Sequence, residues 1–474
     1  LSPPDKTIYI FDEGHHLPGK ARDAWTFQFR SDTNAKLFDD LVVHIDNTAG
    51  DWEKSSCTHA QTLGNELRTL HPKAHQFAAR LNAAHKDFEK ALHKLTAGTN
   101  PKEAFVVNYN DALEDQHPQL VLDASTYLAD ATTLHKMVAD AQQSIIQTRN
   151  TLARGGSLPN SPLFDDSVMK KTMGSFGFYV SRLDNFINTL KLFLTPQPTD
   201  PKKPPIAKWV IPDEKKKVFS VHAGPTMATE LLPAYLYSRA YAVVHASATL
   251  TSVGGFSLYK QKTGLQYYPN TRYLKLESPF DFEKNAVLSL GDLGVDPGDA
   301  VSHTRRLVEV LPHIFEEKND LGTLVLFSSK SQLENVAQML PPEWKNLCKV
   351  QYTLPNLELI ESHKKDVDQG KRSILMGTQS FSEGLDLPGA WCSHVISTKL
   401  PFSMPDNPID KTLADWMKSQ GRNVFSEIAV PEAGERLIQQ AGRLLRREED
   451  QGQITILDNR LVSKWKVYGQ SLVE

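Results

Sequence analysis

Cysteine is scarce. The 474 residues hold three, Cys57, Cys348 and Cys392, far apart in the chain and without the close spacing of a metal-ligand set. Buried thiols in a reducing compartment are the expectation. No apolar run is long enough to span a bilayer, and no signal-peptide pattern opens the chain, so no membrane partner is expected and the cytoplasm is the expected compartment. An excess of either charge is also missing. Lys and Arg number 53 against 56 Asp and Glu, so any groove for nucleic acid has to come from local clustering rather than from global charge. What is present is an ordinary hydrophobic share, 40%, enough to fill cores over a length that suggests roughly three domains. The chain opens on Leu1 rather than Met, which predicts that its true start lies upstream.

Near the other end, Gln439, Arg443 and Arg446 or Arg447 recur at helical spacing. The spacing predicts one helix face of guanidinium groups and an amide, with Leu437, Ile438, Leu444 and Leu445 packed behind. Arginines held rigidly clamp phosphoryl charge with paired planar donors. Taken alone, the window reads more plainly as a solvated basic face beside the acidic run Glu448-Glu449-Asp450.

The front of the chain offers a short apolar and β-branched run, Thr7 to Phe11, that reads as a buried strand and ends in Asp12-Glu13-Gly14-His15. Carboxylates at such a strand tip lie where open α/β sheets bind ligands. Asp12 there would hold Mg²⁺, and Glu13 would orient or deprotonate an attacking water. A strand-to-loop turn capped by Asp is the plainer alternative.

From about residue 22 to 194 the periodicity is helical, as in Leu128, Ala131, Leu134, Val138, Ala141 and Ile145. Residues 195–205 carry five prolines and predict a stiff connector back to the first sheet, through strands at Val218–Val221 and Ala242–Ala246. The second of these runs into the hydroxyl-rich Ser247-Ala-Thr249, a hydrogen-bond relay or simply a polar turn. A further α/β unit follows: a helix over Val301–Phe315 and strands at Leu324–Phe327, Ser373–Met376, Ser393–Ile396 and Ile454–Leu457. Ser328 ends one strand. Gly377-Thr378-Gln379-Ser380-Phe381-Ser382-Glu383-Gly384-Leu385-Asp386 follows another, mixing glycines that allow close backbone approach with neutral donors and two acceptors.

Taken in order, Asp12-Glu-Gly-His15, Ser247-Ala-Thr249, Gly377 to Asp386, Leu400-Pro-Phe402 and Gln439-Gln-Ala-Gly-Arg-Leu-Leu-Arg446 resemble the XPD group of superfamily 2 DNA helicases, most nearly its bacterial DinG branch, toward which Gly14 leans. The resemblance spans nearly the whole chain. It implies an α/β fold of two RecA-like domains with a helical, Arch-like insertion in the first: residues 1–21 and 195–256 as domain 1, 22–194 as the insertion and 257–474 as domain 2. It implies an ATP-driven enzyme that moves 5′ to 3′ on single-stranded or forked DNA, and on RNA–DNA hybrids as a further substrate class.

Carried across residue by residue, Asp12 and Glu13 match the Mg²⁺ and water-activating pair, and His15, Ser247 and Thr249 the coupling residues. Gly384 and Asp386 match the nucleotide-sensing loop. Gln439, Arg443 and Arg446 meet the triphosphate, the two arginines as fingers, and Ser328, Thr378 and Gln379 are weaker candidates for DNA contact.

Two departures qualify the match. The phosphate loop ending Gly-Lys-Thr or Gly-Lys-Ser is absent, its nearest look-alike being Gly19-Lys20-Ala21, and so are the four clustered cysteines that hold a 4Fe–4S cluster in the family. A truncated front is the expected reason, and the fragment alone is expected to be inactive. The alternative is a non-catalytic DNA-binding or partner-docking scaffold.

Overall fold

The computed structural model describes residues 3–463, apart from 56–57, 99, 101–102, 155–165, 214, 216–217, 253–254, 319, 383–384 and 403–406. Its strands are β1 (Ile8–Phe11), β2 (Phe27–Arg30), β3 (Phe105–Val106), β4 (Ile206–Asp213), β5 (Val218–Pro225), β6 (Ala242–His245), β7 (Ala286–Leu290), β8 (Gly322–Phe327), β9 (Cys348–Val350), β10 (Ser373–Thr378), β11 (His394–Ser397) and β12 (Gly452–Ile456). The chain forms two compact units, one of residues 1–18, 229–404 and 422–474, the other of residues 19–228 and 405–421.

In the first unit, six strands form a parallel sheet in the order β7-β12-β11-β8-β10-β9. The central strands are apolar without alternation because both faces are covered, as parallel sheets require. Val325 and Phe327 pack with Leu307, Leu311 and Phe315 of the helix Ala300–Lys318, while Leu324 and Leu326 point the other way to Leu359, Leu385, Leu444 and Leu445. The strands expected at Leu324–Phe327, Ser373–Met376, Ser393–Ile396 and Ile454–Leu457 are β8, β10, β11 and β12, and the helix expected over Val301–Phe315 is present with slightly wider bounds.

The same unit holds β1 and β6 as a two-stranded parallel ribbon, with Ile8 opposite Ala242 and Phe11 opposite His245. The expectation of a buried strand at Thr7–Phe11 is corrected here. Ile8 is 55% and Ile10 71% exposed, because a ribbon of two strands leaves each with a single neighbour and little covering.

The second unit is built on long helices, Ser31–Glu53, Thr58–Leu95, Pro118–Arg154 and Asp166–Leu194, around a core that includes Phe38, Phe88, Tyr127 and Phe186. The apolar residues read from the periodicity of the third helix, Ala131, Leu134, Val138 and Ile145, are buried. A four-stranded antiparallel sheet, β2-β5-β4-β3, packs with these helices. This corrects a second expectation: Val218–Val221 does not rejoin the sheet begun at Thr7 but lies in β5, paired with β2 and β4. An apolar run marks a strand without naming its partner. The helix Pro408–Ser419 belongs to this unit as well. Its Ile409 packs on Trp209 of β4, and its Asp410 accepts from Arg22 at 3.0 Å. No helix among the described residues is long and apolar enough to cross a membrane.

Candidate active site

The tips of β1 and β6 are knotted by backbone hydrogen bonds. Ala246 N donates to Phe11 O and Gly14 N to Ala246 O, each at 2.9 Å. Between them Glu13 takes a left-handed conformation (φ 49°, ψ 44°), uncommon for a residue with a side chain. Gly14 is closely packed, since a Cβ there would meet His245 Cβ at 3.2 Å. The Tyr259 hydroxyl donates to the Gly14 carbonyl at 2.7 Å, so its contact with His245 Nδ1 at 2.9 Å requires a proton on that nitrogen. Burial pushes His245 down to about 4, which keeps the ring neutral in this role.

This turn places a five-residue relay. Ser247 Oγ donates to Glu13 Oε2 at 3.1 Å and therefore accepts from His15 Nδ1 at 2.8 Å and from Thr249 N at 3.2 Å. Gln439 then spends its two amide protons on His15 Nε2 at 3.0 Å and Thr249 Oγ1 at 3.2 Å. These bonds are mutually consistent with a hydrogen on His15 Nδ1, which also lies 3.3 Å from Glu13 Oε2. Glu13, His15, Ser247, Thr249 and Gln439, scattered over more than 400 positions of the sequence, are thus one connected network. The Glu13 side chain at its end remains 64% exposed. Asp12 is exposed too, and its Oδ1 accepts from the Glu13 amide at 3.0 Å.

The basic segment is corrected in one respect. The helix Val430–Ala441 carries Gln439 but stops before the arginines, with Gly442 as its C-cap. Arg443 and Arg446 stand on the turn that follows rather than on a continuous helix face. Leu444 and Leu445 are buried against β8 and β11, whereas Ile438, expected behind the polar face, is half exposed. Both guanidinium groups converge on one carbonyl. Arg443 Nη1 donates to Leu385 O at 3.0 Å and Arg446 Nη2 at 2.8 Å, while Arg446 Nε lies 3.7 Å from Asp386 Oδ1. That Nε is buried without a hydrogen-bond acceptor, a donor suited to an incoming anion. Gln439, in the last turn of the helix, precedes Arg443 by four residues, so relay and arginine turn are neighbours in the chain. Gly384 lies outside the described residues.

The weaker candidates sit at adjacent strand ends. Ser328 is exposed just past β8, and Thr378 closes β10 opposite Phe327. Thr378 Oγ1 donates to Gln351 Oε1 at 3.0 Å, and Gln379 Oε1 accepts from Gln440 Nε2 at 2.7 Å.

One residue had no signal in the sequence. Asp450, read only as the end of an acidic run, is buried, and its carboxylate accepts from Gly389 N at 3.0 Å and from Arg446 N and Arg447 N at 2.8 Å each. It thereby ties the turn carrying Arg446 to the loop that follows Asp386. In Asp450→Asn, an NH₂ group replaces one acceptor and faces a buried N–H, donor against donor. The expected cost is about 2–4 kcal/mol, read as a lower denaturant midpoint of the purified chain at unchanged slope. An unshifted midpoint would remove Asp450 from this role.

Residues 313–474 match the model of the helicase C-terminal domain. The whole chain aligns at 31% identity with the ATP-dependent DNA helicase DinG of Photobacterium profundum and at 26% with that of Escherichia coli K12, spanning 64% and 63% of their lengths. Among solved structures, an XPD helicase (TM-score 0.48, 13% identity, 97% of this chain and 66% of the other) and the Xpd4 protein of S. tokodaii (TM-score 0.48, 12% identity, 98% and 74%) are similar. Along its entire length the chain is thus similar to DinG helicases, of which it spans somewhat less than two thirds, and residues 313–474 are similar to helicase C-terminal domains.

Proposed function

We propose that the protein is an ATP-dependent DNA helicase that couples hydrolysis to movement on single-stranded DNA, acting 5′ to 3′ in cytoplasmic repair or replication, with forked DNA and RNA–DNA hybrids as substrates. The observation that carries this reading is the relay from Glu13 through Ser247 and His15 to Gln439, four residues before Arg443. It joins the acidic tip of one sheet to the basic turn of the other, so a change at either is felt by both. Residues 1–18 and 229–256 belong to one RecA-like domain, 19–228 with 405–421 to the helical, Arch-like unit, and the rest of 257–474 to the second RecA-like domain.

In the reaction, Glu13 orients the attacking water and takes its proton. Arg443 and Arg446 leave the Leu385 carbonyl and Asp386 to meet the charge that grows on the γ-phosphate oxygens. Gly384 and Asp386 report on the nucleotide. Ser328, Thr378 and Gln379 contact the DNA backbone, for which Thr378 and Gln379 exchange their internal partners. Asp12 fits a Mg²⁺ ion that keeps most of its ligands as water and phosphate, since it is an exposed carboxylate with one oxygen engaged by a backbone amide. When bound, that ion would neutralise phosphate charge. An iron–sulfur cluster does not fit the described cysteines. Burial pushes the thiols of Cys348 and Cys392 up to about 12, the reverse of what a thiolate ligand needs, and Cys57 lies outside the described residues.

ATP turnover tests the proposal. A full-length DinG-type protein carrying these residues is expected to hydrolyse ATP when single-stranded DNA is added. The 474-residue chain, with no Gly-Lys-Thr or Gly-Lys-Ser loop to cradle the β- and γ-phosphates, is expected to show negligible turnover. Binding of DNA by the full-length protein without any stimulated hydrolysis would favour the scaffold reading instead.

A further inference from the structure

Among the described residues only two outside glycine have positive φ. Glu13 is one; the other is Tyr352 (φ 73°), which follows β9 by two residues and has no part in the site above. A bulky side chain adopts such a backbone only when its surroundings impose it, and positions of this kind gather at ligand sites. Here the turn is imposed from both sides. Gln351 N donates to Met376 O at 2.9 Å while its Oε1 takes both the amide and the hydroxyl of Thr378, and Thr353 Oγ1 closes back on Val350 O at 2.6 Å.

The turn holds an aromatic ring outward. Tyr352 is 49% exposed, and among the described residues no second ring stacks on it. Its hydroxyl lies 3.3 Å from Thr378 Oγ1, and the ammonium of Lys330 sits over its face, 4.6 Å from the ring centre, while also lying 3.6 Å from Glu334. Ser328, Thr378 and Tyr352 terminate β8, β10 and β9, which are adjacent in the sheet, so ring, ammonium and hydroxyls share the carboxyl edge where open α/β sheets bind ligands.

We propose that Tyr352 and Lys330 form a stacking platform for one base of single-stranded nucleic acid, the ring taking the base and the ammonium the adjoining phosphate. This rests on the DNA-translocating function above and adds a contact to it. Proteins that grip single strands without reading sequence combine aromatic faces with cations along the backbone path. Leu354 and Leu357 are also exposed on the following segment, but a cation and hydroxyls beside the ring complement a phosphodiester better than an apolar partner.

The test is fluorescence anisotropy of a labelled oligodeoxythymidine with the full-length protein. Tyr352→Ala is expected to bind about tenfold more weakly and Tyr352→Phe within about twofold of wild type. An oligonucleotide of abasic sites should bind wild type and Tyr352→Ala equally. Lys330→Ala, which leaves the turn intact, should lower the slope of log affinity against log salt by about one. If wild type binds oligodeoxythymidine and a folded Tyr352→Ala binds it just as tightly, the platform is wrong and the face belongs to a protein partner. If wild type binds no single strand at all, the proposed function fails with it.

Discussion

Glu13→Gln in the full-length protein is expected to lower DNA-stimulated ATP turnover by about 10²–10⁴-fold while leaving affinity for single-stranded DNA within about twofold. The substitution keeps the shape of the side chain and one acceptor oxygen, so Ser247 can still donate to it and the relay to His15 and Gln439 can persist. The loss falls on the other position, where an amide cannot take a proton from water. Because Glu13 already occupies a left-handed turn fixed by the bonds between Phe11, Gly14 and Ala246, the variant has no reason to shift the backbone. Turnover near the wild-type rate would remove Glu13 from the chemistry, and a parallel loss of DNA binding would mean that it acts structurally.

Arg446→Ala carries the second large effect. Its guanidinium contributes a charged donor to Leu385 O, lies near Asp386, and keeps a buried Nε without an acceptor. A group poised in this way gains most when negative charge develops nearby. The expected result is a fall in kcat on the order of a thousandfold with a much smaller rise in the KM for ATP. Arg446→Lys should restore little, because an ammonium lacks the planar fork that serves Leu385 and a phosphate oxygen together. Equal losses in ATP binding and turnover would argue against a contact made only in the transition state. Arg443 shares the Leu385 carbonyl and should hold part of the loop in place when Arg446 is removed.

The parts of the fold that were legible in the sequence are those whose physics is local. β8, β10 and β11 announce themselves because a strand covered on both faces must be apolar throughout, and the long helices because their buried residues return every three or four positions. Pairing is not local. Val218–Val221 was recognisable as a strand, yet besides the immediately preceding β4 its neighbour is the far earlier β2, which no feature of the run itself specifies. The end of the arginine helix was misread for a related reason. Polar spacing continues past Ala441, but the backbone leaves the helix at Gly442, where Leu444 and Leu445 turn into the core and the Asp450 carboxylate collects the amides of Arg446 and Arg447. Asp450 was invisible because a buried acid that caps backbone amides and a solvated acid in a Glu-Glu-Asp run are the same letters. Tyr352 was invisible because nothing in its neighbours' identities announces a positive φ. The relay was legible only through family resemblance, since Glu13, His15, Ser247, Thr249 and Gln439 are brought together by the fold alone.

The central claim is that the acidic tip and the arginine turn act on one nucleotide. A double-mutant cycle on DNA-stimulated ATP turnover, with Glu13→Gln, Arg446→Ala and the two combined, reads it directly. Groups that serve one transition state are strongly non-additive, so the double variant should be scarcely slower than the worse single one. Losses that simply multiply would show two independent sites and contradict the account.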